Sequence, residues 1–393
     1  MLSLFRIYNR DSRHFILLFL VLFLLTIFSC QRAGTPIPAA STEALDLSEH
    51  PKYSLYNFSN EEHIVDIGIQ PLWIPTNTIV ETMKLDEILS ETMEKLGMKL
   101  RFHSFYKGAD VNYFMERGDL EVGIGGDMPA ITAAANFDVF IPTIIQQGFA
   151  SIVAKEVFLQ SSLRGKRVGY ALGSNAHYAL LQAITAGGLT ESDVILVPLD
   201  VNEMPGALDR GRIDAFSAWE PTPSIAEATF DKQRRIFKTM TSGYLYFTRS
   251  FAERYPKAVN HILASQIRSM RWLRRGNSNM RVAVKRTRTA WEEFSGTELA
   301  LSDEKISNLN SEDILGVTSY PIIPKNSLLE NGSLHREFIF LKKLGKIPES
   351  TQWDVVVSKF DSRLIKIIIE QPEKYMLHKL RFAGSGETGD EPH

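Results

Sequence analysis

Cysteine is nearly absent from this sequence, since Cys30 is the only one among 393 residues. An intrachain disulfide and a cysteine-based metal cluster are therefore both excluded. The chain also lacks an excess of charge of one sign, because its formal net charge is −2. Without a strong positive field, the composition gives no support to nucleic-acid binding.

Common catalytic motifs are missing as well. The sequence contains no Gly-x-Ser-x-Gly elbow, no His-Glu-x-x-His and no P-loop, and its nine histidines are scattered. The glycines of residues 123–126 follow a predicted strand but lack the spacing of a dinucleotide-binding fingerprint. We therefore predict neither a cofactor nor a metal, and a binding protein is favoured over an enzyme.

The first thirty residues are typical of an export signal. Three arginines within the first 13 residues precede an apolar run over residues 15–28. This run is shorter than the roughly 18 to 20 apolar residues that a membrane span needs. Its end, Ile27-Phe28-Ser29-Cys30, resembles a bacterial lipobox, which implies cleavage before Cys30 and acylation of its thiol. An uncleaved anchor helix is the alternative, and in both cases the folded part lies outside the cytoplasm.

Alternating strand and helix patterns follow a segment that is predicted to be a flexible tether. The tether, residues 30–63, is rich in Pro, Ala, Ser and Thr. The pattern then predicts strands at 63–69, 100–105 and 120–124, with helices over 77–96, 111–117 and 129–135. This alternation is typical of a parallel sheet with right-handed crossovers.

A second series of strands and helices comes next. Two strands are predicted at 139–145 and 149–154, separated by residues 146–148, and further strands at 163–170, 194–199, 213–217 and 244–248. From residue 250 the chain is mostly helical, with helices near 256–273, 279–294 and 353–369. The many basic residues of this region are interpreted as the solvated faces of amphipathic helices. Residues 384–393 are predicted to be a disordered tail.

Two stretches of the chain resemble each other. Residues 118–127 align without a gap with residues 211–220: each has a glycine, an acid, an apolar run and a second acid near a proline. The second stretch ends at Trp219-Glu220-Pro221, directly after a buried strand. Ligands of open α/β sheets bind at the carboxyl ends of strands. We interpret the pair as two lobes that each offer one strand end to a shared cleft, with chance similarity of two buried strands as the alternative.

The sharpest candidate site is the start of a predicted helix at Ser174-Asn175-Ala176-His177. A helix N-terminus has unsatisfied N–H donors and a partial positive charge, so it favours a sulfonate, nitrate or carboxylate. Ser174 could also be a simple N-cap, and His177 is more often a structural partner of its neighbours.

Other candidates follow the remaining strand ends. Gln70 and Trp73 come after the first strand and are predicted to line the cleft. Trp219 either stacks on the apolar part of a ligand or packs in the core, and Glu220 either binds an ammonium group or caps a turn. Asp127 likewise either binds the ligand or caps a turn, and capping is favoured. Met128, the next residue, is also a candidate ligand contact.

Taken in order, these motifs resemble ABC transporter solute-binding proteins for sulfonates, taurine, nitrate or thiamine-precursor pyrimidines. The resemblance covers residues 64–294 and rests on the following stretches: Gly118-Asp119-Leu120-Glu121-Val122-Gly123, Gly126-Asp127-Met128-Pro129-Ala130, Leu163-Arg164-Gly165-Lys166-Arg167-Val168-Gly169, Gly173-Ser174-Asn175-Ala176-His177, Ala218-Trp219-Glu220-Pro221 and Phe251-Ala252-Glu253-Arg254-Tyr255-Pro256.

The resemblance implies an α/β, two-lobed periplasmic-binding-protein type II fold. Each lobe would be a mixed, mostly parallel sheet flanked by helices, with two crossing strands as hinge. The expected domains are a signal peptide (1–29), the tether (30–63), lobe 1 (64–148 plus 247–349), lobe 2 (149–246), and a C-terminal helix with a disordered tail (350–393).

The implied function is an exported, lipid-anchored, monomeric receptor that delivers a small anionic or zwitterionic solute to a membrane permease. Its partners would be the small-molecule ligand, the ABC permease and the membrane. Two alternatives stay open. One is an enzyme on the same fold, although the cysteine-rich motif of the related pyrimidine synthases is missing. The other is a ligand sensor without transport.

Overall fold

The computed structural model describes residues 46–58, 61, 63–156, 159–316, 320–384 and 389–390. The predicted signal segment, Cys30 and the first half of the predicted tether lie outside these residues. Within the described ranges, no helix has both the length and the apolar character needed to cross a bilayer.

One eight-stranded sheet forms the centre of the fold. Its strands are β1 (Ile64–Ile69), β2 (Lys99–Ser104), β3 (Val122–Gly126), β4 (Val139–Lys155), β5 (Arg167–Tyr170), β6 (Ile195–Pro198), β7 (Ala215–Trp219) and β8 (Gln233–Thr248). The strand order is β2-β1-β3-β8-β4-β7-β5-β6. β1 lies parallel to β2 and β3, and β5 lies parallel to β6 and β7. The sheet is therefore mixed and mostly parallel, as predicted.

Helices flank this sheet. They are α1 (Ile74–Met83), α2 (Glu87–Lys95), α3 (Gly108–Glu116), α4 (Asp127–Asn136), α5 (Asn175–Ala186), α6 (Met204–Asp209), α7 (Thr222–Thr229), α8 (Arg249–Arg254), α9 (Pro256–Arg275), α10 (Asn277–Ser295), α11 (Asp303–Gly316), α12 (Ser333–Lys343), α13 (Trp353–Val357) and α14 (Arg363–Glu370). A two-stranded ribbon of β9 (Lys379–Leu380) and β10 (Gly389–Asp390) lies near the C-terminus.

The long antiparallel strands β4 and β8 join the two parallel groups. They pair with each other along most of their length, and β3 and β7 are their outer neighbours. The predicted break at residues 146–148 is wrong, because Gln146, Gln147 and Gly148 pair with residues of β8. The two halves thus share one hydrogen-bonded sheet. The lobe boundaries predicted after residues 148 and 246 fall inside these two strands and stay a prediction.

The two stretches that align in sequence occupy equivalent places in the two halves. β3 and β7 begin and end at matching positions of the alignment. The glycines before them, Gly118 and Gly211, have φ of +86° and +66°, a conformation that glycine adopts without strain. This agreement supports a repeated design rather than chance similarity.

The acids of the repeat have matching roles. Glu121 accepts a hydrogen bond from the backbone N–H of Asp66 at 2.7 Å, and Asp214 accepts one from the backbone N–H of Arg167 at 2.8 Å. Asp66 lies in β1 and Arg167 in β5, the central strand of each parallel group. Glu121 therefore holds the start of β3 against β1, and Asp214 holds the start of β7 against β5.

The helix predicted over residues 77–96 is two helices, because Asp86 starts a new one. Its Oδ1 accepts hydrogen bonds from the backbone N–H groups of Ile88 and Leu89 at 3.0 and 3.3 Å. Its Oδ2 accepts from the buried Arg268 at 2.6 Å. The helix predicted over 353–369 is also divided, since residues 359–361 bond to Ile141 of β4.

The second half of the predicted tether packs against the fold. Tyr53 is buried, donates its hydroxyl proton to Asp110 at 2.7 Å and accepts from the backbone N–H of Tyr106 at 3.0 Å. Burial of an aromatic ring stabilises this docking. Residues 47–58 are therefore not a flexible tether. Of the predicted tail, residues 385–388 and 391–393 lie outside the described part, and Gly389–Asp390 forms β10.

Candidate ligand-binding site

A small cavity lies at the carboxyl ends of β1, β3, β5 and β7. Its volume is about 20 Å³, and its lining residues are Gln70, Trp73, Gly108, Gly126, Pro129, Ser174, Asn175 and Trp219. Five of these were predicted from the sequence: Gln70, Trp73, Ser174, Asn175 and Trp219. A cavity of this size holds about one water molecule, so the cleft is narrow in this structure.

Gln70 and Trp73 form the side of the cavity that follows β1. Gln70 Nε2 donates to the carbonyl oxygen of Ile124 in β3 at 2.8 Å. The backbone N–H of Trp73 donates to the carbonyl of Gln70 at 3.1 Å, so the turn between β1 and α1 is closed. The Trp73 ring lies against Gly243 of β8, where an added Cβ would come within 2.9 Å of Cη2.

Ser174 is the N-cap of α5. Its Oγ accepts from the backbone N–H of His177 at 3.4 Å and donates to the carbonyl of Ala171 at 2.7 Å. The capping alternative for Ser174 is thus what the structure has, although Ser174 also lines the cavity.

Asn175 bridges the starts of α4 and α5. Its Oδ1 accepts a hydrogen bond from the backbone N–H of Met128 at 3.2 Å, and its Nδ2 contacts the carbonyl of Ser242 at 3.5 Å. Gly126 makes this approach feasible, because a Cβ there would lie 2.2 Å from Nδ2 of Asn175. Met128 contributes its backbone N–H, while its side chain is fully buried in the core.

Trp219 carries a buried donor at the cavity. The side chain is 6% exposed, and Nε1 has no hydrogen-bond partner among the described residues. Buried N–H groups are nearly always paired in native proteins. This unpartnered indole N–H is therefore a candidate donor for a ligand.

Glu220 does not line the cavity, and its carboxylate forms an ion pair. Its Oε1 accepts from Nη1 of Arg235 at 2.5 Å. Arg235 also donates to Glu227 at 2.9 Å and to Oγ of Ser224 at 2.8 Å. Glu220 is 4% exposed, so this is a buried ion pair within a larger network.

The N-cap predicted at Asp127 is wrong. The N-cap of α4 is Gly126, and Asp127 is the first residue of the helix. Its Oδ2 accepts from the backbone N–H of Ser242 at 2.6 Å, and its Oδ1 accepts from the hydroxyl of Tyr244 at 3.1 Å. Burial raises the pKa of Asp127 to about 7, although these hydrogen bonds act in the opposite direction. Asp127 thus fixes α4 to β8 rather than facing the cavity.

Ala176 and His177 also lie outside the cavity lining. The carbonyl of Ala176 accepts from the hydroxyl of Ser217 at 2.6 Å. The His177 ring packs 4.5 Å from Tyr170 and 5.8 Å from Phe340. Burial lowers the pKa of His177 to about 4, so the ring is neutral at physiological pH.

Comparison with known proteins identifies the family of this chain. The profile of the NMT1-like family matches residues 91–287, half of the chain. The chain belongs to the NMT1-like family. It is 26% identical over 199 residues to the taurine-binding periplasmic protein of Escherichia coli K12, a match that covers 48% of this chain and 62% of that protein.

Solved structures share the fold of this NMT1-like chain. The alkanesulfonate-binding protein SsuA from Xanthomonas axonopodis pv. citri superposes with a TM-score of 0.58 at 17% identity, covering 77% of this chain and 99% of that one. The desulfurization enzyme DSZB superposes with a TM-score of 0.52 at 13% identity, covering 78% and 99%. The fold alone therefore does not separate binding proteins from enzymes.

Three cavity residues of the NMT1-like chain were missed from its sequence: Gly108, Gly126 and Pro129. Gly108 and Pro129 touch closely, since a Cβ on Gly108 would lie 2.6 Å from Cγ of Pro129. Gly126 aligns with Trp219 in the internal repeat, so the repeat itself carried the signal that would have found it.

A larger groove of about 860 Å³ runs between α2 and β2 of the NMT1-like fold. It reaches Ile64 and Lys99, the first residues of β1 and β2. The groove therefore lies toward the amino ends of these strands. Because ligands of such sheets bind at the carboxyl ends, we take the small cavity as the site.

Proposed function

We propose that this NMT1-like protein is an extracytoplasmic receptor of an ABC importer that captures a small organic anion in the cavity at the strand ends. An aliphatic sulfonate or taurine is the favoured ligand class, ahead of nitrate or a pyrimidine. The observation that carries the proposal is the meeting of two helix N-termini, those of α4 and α5, with the unpartnered indole N–H of Trp219.

These donors suit an anion. The first N–H groups of a helix have no partner within the helix, and the helix dipole adds positive potential there. Sulfate, phosphate and carboxylate groups bind at such termini, and a sulfonate is an oxyanion of the same kind. The two tryptophans of the lining, Trp73 and Trp219, offer apolar surface to the body of the ligand. The names of the taurine-binding and alkanesulfonate-binding proteins support the same ligand class.

The proposed mechanism is capture by closure. The cavity is smaller than any of these ligands, so binding requires the α4 and α5 sides to separate and then close on the ligand. Exclusion of water on closure strengthens the hydrogen bonds to a charged group. We further propose that Cys30 anchors the protein, that it works as a monomer with a membrane permease, and that it does not turn its ligand over. The periplasmic location in the name of the taurine-binding relative supports export.

A stability panel tests this function. The purified protein is heated with aliphatic sulfonates, taurine, nitrate and pyrimidines, and the bound ligand is then measured by titration calorimetry. A ligand at about 100 times its dissociation constant adds about 2.7 kcal/mol of stability. Binding of none of them, or chemical conversion of any, contradicts the proposal.

A matched pair of variants tests the site. Trp219→Phe keeps an aromatic ring and removes the donor, so binding should weaken by about 1.5–3 kcal/mol, the value of a hydrogen bond to a charged group. Trp291→Phe is the control, because Nε1 of Trp291 is likewise buried without a partner in the described part but does not line the cavity. Equal affinity of both variants would place the ligand elsewhere.

A further inference from the structure

The helices α9 and α10 carry positive charge without a balance of acids. Between Glu253 and Glu292 the sequence has ten Lys and Arg residues and no Asp or Glu. Protein surfaces usually mix charges of both signs, so a stretch of this kind is unusual. Whether it can bind an anionic partner depends on which of the cations the fold leaves exposed and unpaired.

Some of these cations are used within the fold. Arg268 is fully buried and contacts Asp86 at 2.6 Å. Arg288 lies 2.7 Å from Asp303 and 3.7 Å from Glu292. Asp303 at the start of α11 and Glu292 near the end of α10 therefore already have a cationic partner, and they do not neutralise the rest of the stretch.

Three cations of α10 are exposed: Arg281, Lys285 and Arg286. They point away from the buried stripe of this amphipathic helix, which runs from Asn279 to Phe294. The described residues offer these three side chains no ion-pair or hydrogen-bond partner. Together they form a surface with positive charge and no acid within its turns, the basic face of α10.

The packed N-terminal segment of the chain meets the end of the same helix. Nζ of Lys52 donates to the carbonyl of Phe294 and lies 4.7 Å from the centroid of the Phe294 ring. Leu55, three residues further on, is 80% exposed. Arg281 and Phe294 belong to one helix, so about 20 Å separates them along its axis at about 1.5 Å per residue. The N-terminal segment therefore lies near the basic face.

The length of chain before this segment limits its distance from a membrane. Cys30, the proposed site of lipid attachment, precedes Leu47 by 17 residues. Even a fully extended chain of that length spans at most about 60 Å. An anchored protein is thus held close to the bilayer by the segment that contacts α10, and the basic face lies within reach of the lipid headgroups.

We propose that the basic face of α10 binds anionic lipid headgroups, so that the receptor lies with this helix on the bilayer surface. Each Lys or Arg close to an anionic membrane raises the affinity by a factor of about five, and three of them by about a hundredfold. The exposed Leu55 adds an apolar side chain that can enter the interface. This contact is separate from the ligand cavity.

The acetylation rates of individual lysines test the proposal. The full chain is acetylated with phosphatidylcholine vesicles that contain or lack phosphatidylglycerol, and mass spectrometry measures each site. Lys285 should react at least about fivefold more slowly when phosphatidylglycerol is present. The protection should disappear at about 1 M salt, where the Debye length is about 3 Å. Lys343, exposed on α12, is the internal control and should react equally with both vesicles. Equal rates at Lys285 overturn the proposal.

A pair of double variants assigns the contact to this face. Arg281→Gln/Arg286→Gln keeps Lys285 as the reporter and should weaken lipid binding by about 25-fold, so the protection is lost. Lys325→Gln/Lys346→Gln is the control, because it removes two exposed cations elsewhere and should keep the protection. All four side chains are exposed, so their substitution leaves the fold intact. Protection that persists in Arg281→Gln/Arg286→Gln would place the lipid contact on another face and contradict the proposal.

Native membranes separate a lipid partner from a protein partner. If an acidic membrane protein covers the basic face, Lys285 is protected in native membranes but reacts freely on phosphatidylglycerol vesicles, and the lipid proposal is wrong. Protection on vesicles of pure lipid supports it. These measurements need no solute, so their failure leaves the proposed function untouched.

Discussion

Asn175 Oδ1 lies 3.2 Å from the backbone nitrogen of Met128 and accepts its hydrogen bond. Asn175 is the first residue of α5 and Met128 the second residue of α4, so this contact joins two helix N-termini across the cavity. A side-chain oxygen thus occupies the position where an anion would accept a hydrogen bond. An entering anion must therefore displace the Asn175 oxygen to reach the Met128 N–H.

Asn175→Asp should bind an anionic ligand at least about tenfold more weakly, because a fixed carboxylate competes for the same N–H groups. Its free energy of unfolding should change little, since the gain of about 0.3–1 kcal/mol from a negative charge at a helix N-terminus is opposed by repulsion between the new carboxylate and the Ser242 carbonyl that Nδ2 now contacts. Asn175→Ala is the companion variant: it loses about 0.5–1.5 kcal/mol of stability for the missing bond to Met128 but adds no competing charge. Calorimetry measures the affinity of each variant, and urea unfolding measures its stability. Wild-type affinity in Asn175→Asp would contradict this role.

Gly126→Ala should hold the cleft apart. The φ of Gly126 is −76°, which alanine also adopts, but its Cβ would lie 2.2 Å from Nδ2 of Asn175. Such overpacking costs about 1–3 kcal/mol. Because Gly126 and Asn175 meet at the cavity, we expect this cost to destabilise the narrow form of the cleft. Gly206→Ala is the control, because the nearest atom there is the flexible end of Arg210 at 3.0 Å. The double variant Gly126→Ala/Asn175→Ala should recover much of the lost affinity. Additive losses in the double variant would show that the two residues do not clash.

The sequence predicted the strand ends well because their signal is local. A buried apolar run and the polar or aromatic residue after it are adjacent in the chain. Gln70, Trp73, Ser174 and Trp219 were identified in this way, and all four line the cavity.

The partners of Asp127 and Glu220 could not be predicted in the same way. Ser242 lies 115 residues from Asp127, and Arg235 lies 15 residues from Glu220. Both partners belong to β8, whose register against β4 shifts three times. No local sequence pattern determines such a register. The partners of the two carboxylates therefore become known only from the folded sheet.

Glu337→Gln should flatten the dependence of stability on pH. Glu337 is buried on α12, and burial, together with the nearby Asp127, raises its pKa well above the usual value, against the opposing charge of Arg336. The folded protein therefore keeps a proton that the unfolded chain releases above its pKa of about 4.3. The free energy of unfolding should then fall as the pH rises from about 4.3 through the folded-state pKa.

Urea unfolding between pH 4 and pH 8 measures this slope. Glu337→Gln should remove much of it and leave the part that belongs to Asp127, whose pKa is raised to about 7 by burial. Glu330→Gln is the control, since Glu330 is exposed in the same region. An identical profile for Glu337→Gln and wild type would contradict the buried, protonated state of Glu337.

Cys30→Ala should release the protein from membranes or block its processing. Cys30 lies outside the described residues, and the expectation rests on the sequence Ile27-Phe28-Ser29-Cys30. Detergent-phase partitioning and the mass of the processed chain are the measurements, with Ser41→Ala as the control in the same segment. Unchanged partitioning and unchanged mass in Cys30→Ala would rule out acylation there.

Phe340→Ala should weaken ligand binding from a position outside the cavity. Its ring lies 5.2 Å from Tyr178 and 5.8 Å from His177, both on α5. On the same helix, α12, the side chain of Phe338 packs with Ile131 of α4 in one apolar cluster. α12 therefore contacts both helices that begin at the cavity. By the predicted boundaries α12 belongs to lobe 1 and α5 to lobe 2, so we expect their contact to be made only when the cleft is narrow.

Loss of the Phe340 ring removes a contact that the open form would lack, so the equilibrium shifts toward opening and the apparent affinity falls. The free energy of unfolding should fall by about 1–3 kcal/mol, less than for a fully buried phenylalanine. Ile339→Ala is the control, because Ile339 is 39% exposed on the same helix. If Phe340→Ala lost stability while binding the ligand as tightly as Ile339→Ala, α12 would stabilise the fold without biasing the cleft.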